Sequence, residues 1–171
     1  MKEKSIDFLD LGNQPLANSN LTKKNLSKEE KKYRLIICFN KENKLVYIKK
    51  TFSSKEMFTD KYPYRSSASK TMTAHLKKLA DNLKKKKFKK ILEIGSNDGC
   101  FIKNFDKSKT IGVEPCGNVE AITKKKNYNT YPEYWSQKLA KKILKKNKKV
   151  NLIFSSNTIS HIKNLDEIFK A

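Results

Sequence analysis

Lys90-Ile-Leu-Glu-Ile-Gly-Ser-Asn-Asp-Gly99 is the stretch from which the fold of this chain is read. A polar, lysine-rich segment gives way to the apolar run Ile91, Leu92 and Ile94, with Glu93 set inside it. Gly95 and Gly99 then bracket Ser96, Asn97 and Asp98, and a helical pattern is expected from Cys100 to Phe105. A buried strand, a glycine turn and a helix start make the first unit of a nucleotide-binding α/β domain. Glycine permits positive φ and lets a ligand approach the backbone. A helix N-terminus adds free N–H groups and a partial positive charge. Taken alone, a Gly-x-x-x-Gly turn has low specificity.

The next stretch sharpens it. Thr110-Ile-Gly-Val-Glu-Pro115 reads as a second strand ending in an acid, and Glu114 lies 21 positions after Glu93. In dinucleotide folds an acid meets the ribose at a spacing of roughly 20 residues. The absence of Gly-x-Gly-x-x-Gly argues against a dinucleotide. A looser turn, with an acid inside it and another after the next strand, suits the adenosine and amino-acid ends of S-adenosylmethionine. The alternative is an ordinary βαβ unit with a capped turn.

Working outward, Asn118 caps an expected helix to Lys126, and Asn129 to Tyr131 form a brief third strand. Trp135 to Lys146 carries Leu139, Ala140, Ile143 and Leu144 on one side, an amphipathic helix. Val150-Asn-Leu-Ile-Phe154 is expected as the next buried strand, and a helix begins at Asp166. Alternating β and α elements imply a mostly parallel sheet with helices on both faces. Ligands then bind beyond the carboxyl ends of the strands. Gly95–Gly99, Glu114 and Ser155–His161 converge there.

Before the stretch, Met72, Leu76, Leu79, Ala80 and Leu83 recur at helical spacing, behind the capping candidates Arg65–Ser69. His75 lies beside that stripe and reads as a structural or solvent-facing residue. Pro63 stops a helix and holds Tyr62 extended. Residues 6–19 predict a short strand entering a Gly12-Asn-Gln-Pro15 turn, and residues 33–48 a hairpin about Asn40–Asn43. The expected organisation is a small β-rich lobe over 1–52, a connector and helix over 53–89, and a cofactor-binding domain over 90–171.

Composition excludes some classes. No apolar run approaches the roughly 18 residues of a membrane span, and the polar opening Met1-Lys-Glu-Lys makes a cytoplasmic location the default. Cys38, Cys100 and Cys116 form no metal-type pair and are expected as reduced thiols. The formal net charge is +22, but of 39 basic residues only Arg34 and Arg65 are arginine. Arginine is preferred for bidentate phosphate and base contacts. A lysine-biased solvated surface is the better reading than a basic nucleic-acid-binding module, which stays the weakest alternative.

Five stretches together carry a family resemblance: Leu11-Gly-Asn-Gln-Pro-Leu-Ala-Asn-Ser19, Phe58-Thr-Asp-Lys-Tyr-Pro-Tyr-Arg-Ser-Ser-Ala-Ser69, Leu92-Glu-Ile-Gly-Ser-Asn-Asp-Gly99, Gly112-Val-Glu-Pro115 and Asn157-Thr-Ile-Ser-His-Ile162. The chain resembles the sugar C-methyltransferases of deoxysugar biosynthesis, which act on nucleotide-linked keto sugars. The resemblance implies a Rossmann-like class I methyltransferase sheet, here of about four strands and incomplete. It also implies S-adenosylmethionine as cofactor. A base would remove the proton beside the sugar ketone, and the enolate would attack the sulfonium methyl. Glu93, Gly95, Ser96, Asn97, Asp98, Gly99, Glu114, Pro115 and Asn157 would border the cofactor, with Glu114 at the ribose. Tyr62, Tyr64 and His161 would reach the reacting centre, a phenol bonding the ketone or enolate oxygen. Gln14, Pro15 and Asn18 would line the sugar side.

Two departures from that family enter as expectations. Its zinc module uses two cysteine pairs, whereas only Cys38 stands at a ligand position here and Lys41 follows three residues on. One thiolate makes no structural zinc site, so no metal is expected. The chain also reaches Ala171 just after the fourth strand. The family's further strands and its Tyr-x-Glu-His segment, source of the base, would lie beyond. The expected partners are therefore a nucleotide-linked sugar and a chain supplying that half, with neither a specific nucleic acid nor a membrane. A fragment inactive by itself, or a non-catalytic remnant or partner subunit with the same fold, is the alternative reading.

Overall fold

The computed structural model describes residues 4–162 and 164–171. The chain divides into two compact units between Met57 and Phe58. The first unit is a three-stranded antiparallel sheet, β1 (Ser5–Pro15), β2 (Lys32–Asn40) and β3 (Val46–Ile48), in the order β1-β2-β3. A helical turn, α1 (Ser54–Met57), closes it.

β1 is longer than the expected short strand, because the glycine sequence is absorbed as a bulge instead of a turn. Its register against β2 shifts between Asp7 and Leu9 and again between Asp10 and Asn13. Gly12 takes φ +69°, and its N–H donates to Asp10 Oδ1 at 2.9 Å. A bulge of this kind bends a strand without ending its pairing.

The second unit is built on α2 (Lys70–Lys84), β4 (Ile91–Ile94), β5 (Thr110–Val113), α3 (Gly117–Lys125), β6 (Thr130–Tyr131), α4 (Gln137–Asn147), β7 (Leu152–Ser155) and α5 (Leu165–Lys170). The four strands are parallel in the order β6-β5-β4-β7. This is the Rossmann-like order, with β4 and β5 central, β5 and β6 added in turn to one side of β4, and the chain then crossing back to place β7 on its other side. Successive strand residues point to opposite faces. Leu92 and Ile94 therefore pack with Ile111, Val113, Leu139 and Ile143 beneath α4. Ile91 packs on the other face with Leu76, Ala80, Phe101 and Ile102 beneath α2. Ser69 caps α2 by accepting the Met72 N–H at 3.2 Å, and Ser136 caps α4 by accepting the Leu139 N–H at 3.2 Å.

Three local expectations are corrected. After Gly99 there is no α-helix, only a 3-10 turn over Ile102–Asn104. The Asn104 amide donates to the carbonyls of Cys100 and Phe101 at 3.0 and 2.9 Å, which occupies acceptors that a helix would use. Asn118 does not cap α3, since Cys116 is the N-cap and Asn118 lies inside the first turn. β7 is an edge strand of the described sheet rather than a buried one, and Ile153 is 53% exposed. No described helix is long and apolar enough to cross a membrane.

Candidate functional site

The site is built at the carboxyl ends of β4 and β5. Gly95 adopts φ +73°, Asn97 φ +47° and Gly99 φ +79°. With that geometry the N–H groups of Gly95 and Ser96 both turn to the Val113 carbonyl, at 2.8 and 3.0 Å. A Cβ on Gly95 would collide with the Thr158 side chain, so the segment after β7 lies directly on the turn. Gly112 serves the same end: a Cβ there would meet Ser96 Oγ at 2.7 Å.

Glu114 ties the turn to β5. Its Oε2 accepts the Asn97 N–H at 2.9 Å, and its Oε1 accepts the Cys116 N–H at 2.9 Å. Burial pushes this carboxyl above the usual range, while the donors from Cys116 and Asn97 pull against that rise. Glu93 is more extreme. It is fully enclosed, and burial, then the nearby Glu114 and Asp98 charges, raise it well above the usual carboxylate range, against a hydrogen bond from the Ile102 backbone. The N–H expected to face a ligand from a helix start is therefore turned inward onto Glu93.

The connector crosses this region as a strap. Asp60 Oδ1 accepts the Gly117 N–H at 3.0 Å, and the Asn118 amide donates to the Tyr62 carbonyl at 3.0 Å. The Asn97 amide donates to the Tyr64 carbonyl at 3.3 Å and accepts the Ser66 N–H at 2.8 Å. Ser67 bonds Asp98 Oδ2 through both its N–H and its hydroxyl. The strap is thus held by the turn after β4 and by the start of α3. Arg65 stiffens it by donating to the Tyr62 and Tyr64 carbonyls at 2.7 and 2.9 Å.

Among the described residues, four buried side-chain polar atoms lack a partner: Glu93 Oε2, Ser96 Oγ, Asp98 Oδ1 and Asn118 Oδ1. Buried polar groups are normally bonded, and each exception calls for a reason. Three belong to the glycine stretch and its strand, and the fourth to the helix that the strap reaches. Asp98 Oδ1 and Asn118 Oδ1 are acceptors, while Ser96 Oγ and the Glu93 carboxyl, which burial favours in its protonated form, can also donate, so a polar ligand carrying both donors and acceptors would satisfy them.

The aromatic residues gather around the strap. Phe58 and Tyr62 have ring centroids 5.4 Å apart, Tyr62 and Tyr64 6.5 Å, and Phe58 and His161 5.9 Å. Burial raises the Tyr62 phenol, and the Cys116 and Glu114 charges raise it further, so it remains a hydrogen-bond donor at neutral pH. Tyr134 was not expected from the sequence. Its phenol donates to the Phe58 carbonyl at 3.1 Å and, beyond its own burial, feels the Cys116 and Glu114 charges. A Tyr in the loop after β6 bears no motif that would mark it.

The remaining expected residues are placed less centrally. Pro115 is half-buried beside Glu114, and Asn157 is exposed with φ +53°. Gln14, Pro15 and Asn18 belong to the first unit. There Gln14 donates to the Leu11 carbonyl at 2.6 Å, Pro15 pairs with Lys32, and Asn18 takes φ +63°. His75 is exposed on α2.

A parallel βαβ sheet with unpartnered buried polar atoms at its carboxyl edge is a Rossmann-like arrangement. A family model described as a methyltransferase domain matches residues 64–171, and the chain belongs to that family. A second model, described as a candidate zinc-binding domain, matches residues 2–58. No curated protein matches the chain.

The residues of the first unit do not fit zinc. Residues 2–58 contain one cysteine and no histidine, whereas a structural zinc site takes four ligands, mostly Cys and His. Cys38 Sγ instead lies 3.1 Å from Asp7 Oδ1, and Asp7 also receives Lys49 at its other oxygen at 2.6 Å. Among the described residues no group of three or more His, Cys, Asp and Glu is placed to hold a metal ion.

Proposed function

We infer that this methyltransferase uses S-adenosylmethionine and transfers its methyl group to a carbon of a nucleotide-linked keto-deoxysugar, in the cytoplasm and with a first unit that holds together without zinc. The observation that carries the cofactor assignment is the grouping of unpartnered buried polar atoms around Glu114, at the carboxyl ends of β4 and β5. The methionine ammonium and the ribose hydroxyls supply donors for the acceptors among them, and the methionine carboxylate supplies an acceptor for the donors. The sugar assignment rests on the five motif stretches, among them Phe58–Ser69 and Asn157–Ile162.

When bound, S-adenosylmethionine supplies an electrophilic methyl on a sulfonium. The chain's own residues do the rest. Glu114 is positioned for the ribose hydroxyls, since each carboxylate oxygen keeps a lone pair beyond its backbone donor. Ser96 and Asp98 face the amino-acid end. The Tyr62 phenol, kept protonated, is suited to donate to the substrate's ketone oxygen rather than to act as base. The strap fixes the backbone from which that phenol projects, and alignment of the reacting atoms supplies much of the rate.

Calorimetry with S-adenosylmethionine tests the cofactor. Binding with one site per chain is expected, and no heat up to millimolar ligand would remove the assignment. A methyl-transfer assay on nucleotide-linked keto sugars tests the acceptor, with incorporation of labelled methyl on carbon as the expected result.

A further inference from the structure

The end of the parallel sheet opposite the candidate site carries a cleft of about 400 Å³. It opens at the amino ends of β4 and β5, where α2 leads into β4 and the turn after Gly99 leads towards β5. Leu83, Phe88, Ile91 and Phe105 form its apolar walls. Ile91 is the first residue of β4, whereas the glycine turn and Glu114 follow the last residues of β4 and β5. Phe88 and Phe105 are half-buried, each packed against the core beneath α2 and each lining the cleft. The volume falls at the small end of the range for ligand sites, which suits a single ring with a short polar tail better than a dinucleotide or a long acyl chain.

The rim is cationic. Lys84, Lys87 and Lys109 line it and are exposed, with Asp106 as the one acid. Asp106 is engaged by Ser108, whose N–H and hydroxyl donate to Oδ1 at 2.9 and 2.8 Å. Lys84 is shared, its Nζ lying 2.9 Å from Asp81 Oδ1 and 5.9 Å from the Phe105 ring centroid. Among the described residues, Lys87 and Lys109 form no salt bridge. Asn104 completes the lining. Its amide nitrogen is committed to the Cys100 and Phe101 carbonyls, which leaves Oδ1 as its acceptor for a further donor.

Lysine at the C-terminus of α2 complements the helix dipole by itself. That role does not call for two phenyl rings left open beside it. An apolar ligand would use the rings and leave the cations unpaired. A bare anion would meet the lysines and gain nothing from the rings. A ligand that uses both, and brings an N–H donor for Asn104, is a nucleobase joined to a phosphate.

We propose that this cleft binds a pyrimidine nucleoside monophosphate, with its base against Phe88 and Phe105 and its phosphate at Lys87 and Lys109. The site is separate from the candidate methyl-transfer site, and the proposal does not depend on the cofactor reading above.

Calorimetry of the full chain with uridine 5′-monophosphate tests this. One site per chain is expected, weakened by added salt. Inorganic phosphate, which lacks the ring, should bind at least about fivefold more weakly. Uridine, which lacks the charge, should bind at least about twofold more weakly. Lys87→Gln and Lys109→Gln should each raise the dissociation constant about two- to fivefold with the melting temperature unchanged. Phe105→Leu should raise it at least about fivefold. If that variant fails to melt cooperatively, the two lysine variants at exposed positions carry the test. No heat up to millimolar nucleotide overturns the proposal, as does equal affinity for inorganic phosphate or an unchanged affinity in both lysine variants. Displacement of the nucleotide by S-adenosylmethionine would put it at the carboxyl ends of the strands and overturn the proposal. Affinity that climbs with length in a series of oligouridylates would make the cleft part of a nucleic-acid surface and overturn it likewise.

Discussion

Asn97 donates its backbone N–H to Glu114 Oε2 across 2.9 Å, joining the turn after β4 to the end of β5. Both residues are at least nine-tenths buried, and Asn97 reaches this position only by adopting φ +47°. With the Cys116 N–H on the other oxygen, the bond fixes the Glu114 carboxylate at the carboxyl ends of β4 and β5. Glu114→Ala should weaken S-adenosylmethionine binding by at least about 1 kcal/mol, the size of a lost buried hydrogen bond. Calorimetry on a variant that still melts cooperatively checks it, and an unchanged affinity would remove Glu114 from the site.

Asn97 also uses both ends of its amide on the strap, at Tyr64 and Ser66. Asn97→Ala deletes both contacts and leaves the Ser66 N–H without its acceptor. A loss of about 1–3 kcal/mol is expected, with hydrogen exchange accelerated at residues 64–67 ahead of the sheet. Uniform acceleration across β4 and β5 would show that the strap is not a separable element.

Gly95 cannot carry a side chain at φ +73° with Thr158 against it. Gly95→Ala should cost about 1–3 kcal/mol in urea unfolding, the usual size of strain in a disfavoured backbone region. Gly12 has a similar φ of +69° but nothing within 4 Å of the place a Cβ would take. Gly12→Ala should therefore cost less, because only the backbone strain applies. Equal losses would discount the Thr158 contact.

Glu93 sets a pH dependence. Its carboxyl is raised well above the ordinary value of 4.5 by burial, so the folded state holds a proton that the unfolded state has released. Stability from this group is full below the unfolded value and declines as pH rises towards the folded one. Melting temperature should fall as pH is raised from about 4.5. Glu93→Gln, which keeps an acceptor for the Ile102 N–H, should flatten that slope. A slope unchanged in the variant would assign it to other groups.

The first unit should be indifferent to chelation. Its one cysteine is held at Asp7, and Asp7 in turn takes Lys49. The melting profile should be the same with and without a strong zinc chelator, and the purified protein should contain far less than one zinc per chain. A stoichiometric metal lost together with stability would reverse this assignment.

Much of the second unit was legible from local pattern. The apolar runs Ile91–Ile94 and Thr110–Val113 had to be buried, and strict alternation with helices left a parallel sheet as the simplest way to bury them. The spacing of Leu76, Ala80 and Leu83 on α2, and of Leu139 and Ile143 on α4, similarly marked core faces. Elements whose fate depends on distant partners were not legible. The turn at Ile102–Asn104 looked helical because the competing acceptor use by Asn104 is a side-chain event. The Gly12 sequence looked like a turn because the strand that keeps pairing past it lies some twenty residues away.

The sequence by itself determined the βα order, the glycine turn and the acid at the end of the second strand, since these depend on short-range periodicity and on which residues tolerate positive φ. Only the tertiary structure decided what surrounds them. It brought Asp60, Tyr64, Ser66 and Ser67 onto the turn and the helix start beside it, set Tyr134 against Phe58, and left four buried polar atoms without partners. These contacts join residues tens of positions apart. Hydrogen-bond satisfaction in a buried space is a property of the assembled shape, which no local window of sequence contains.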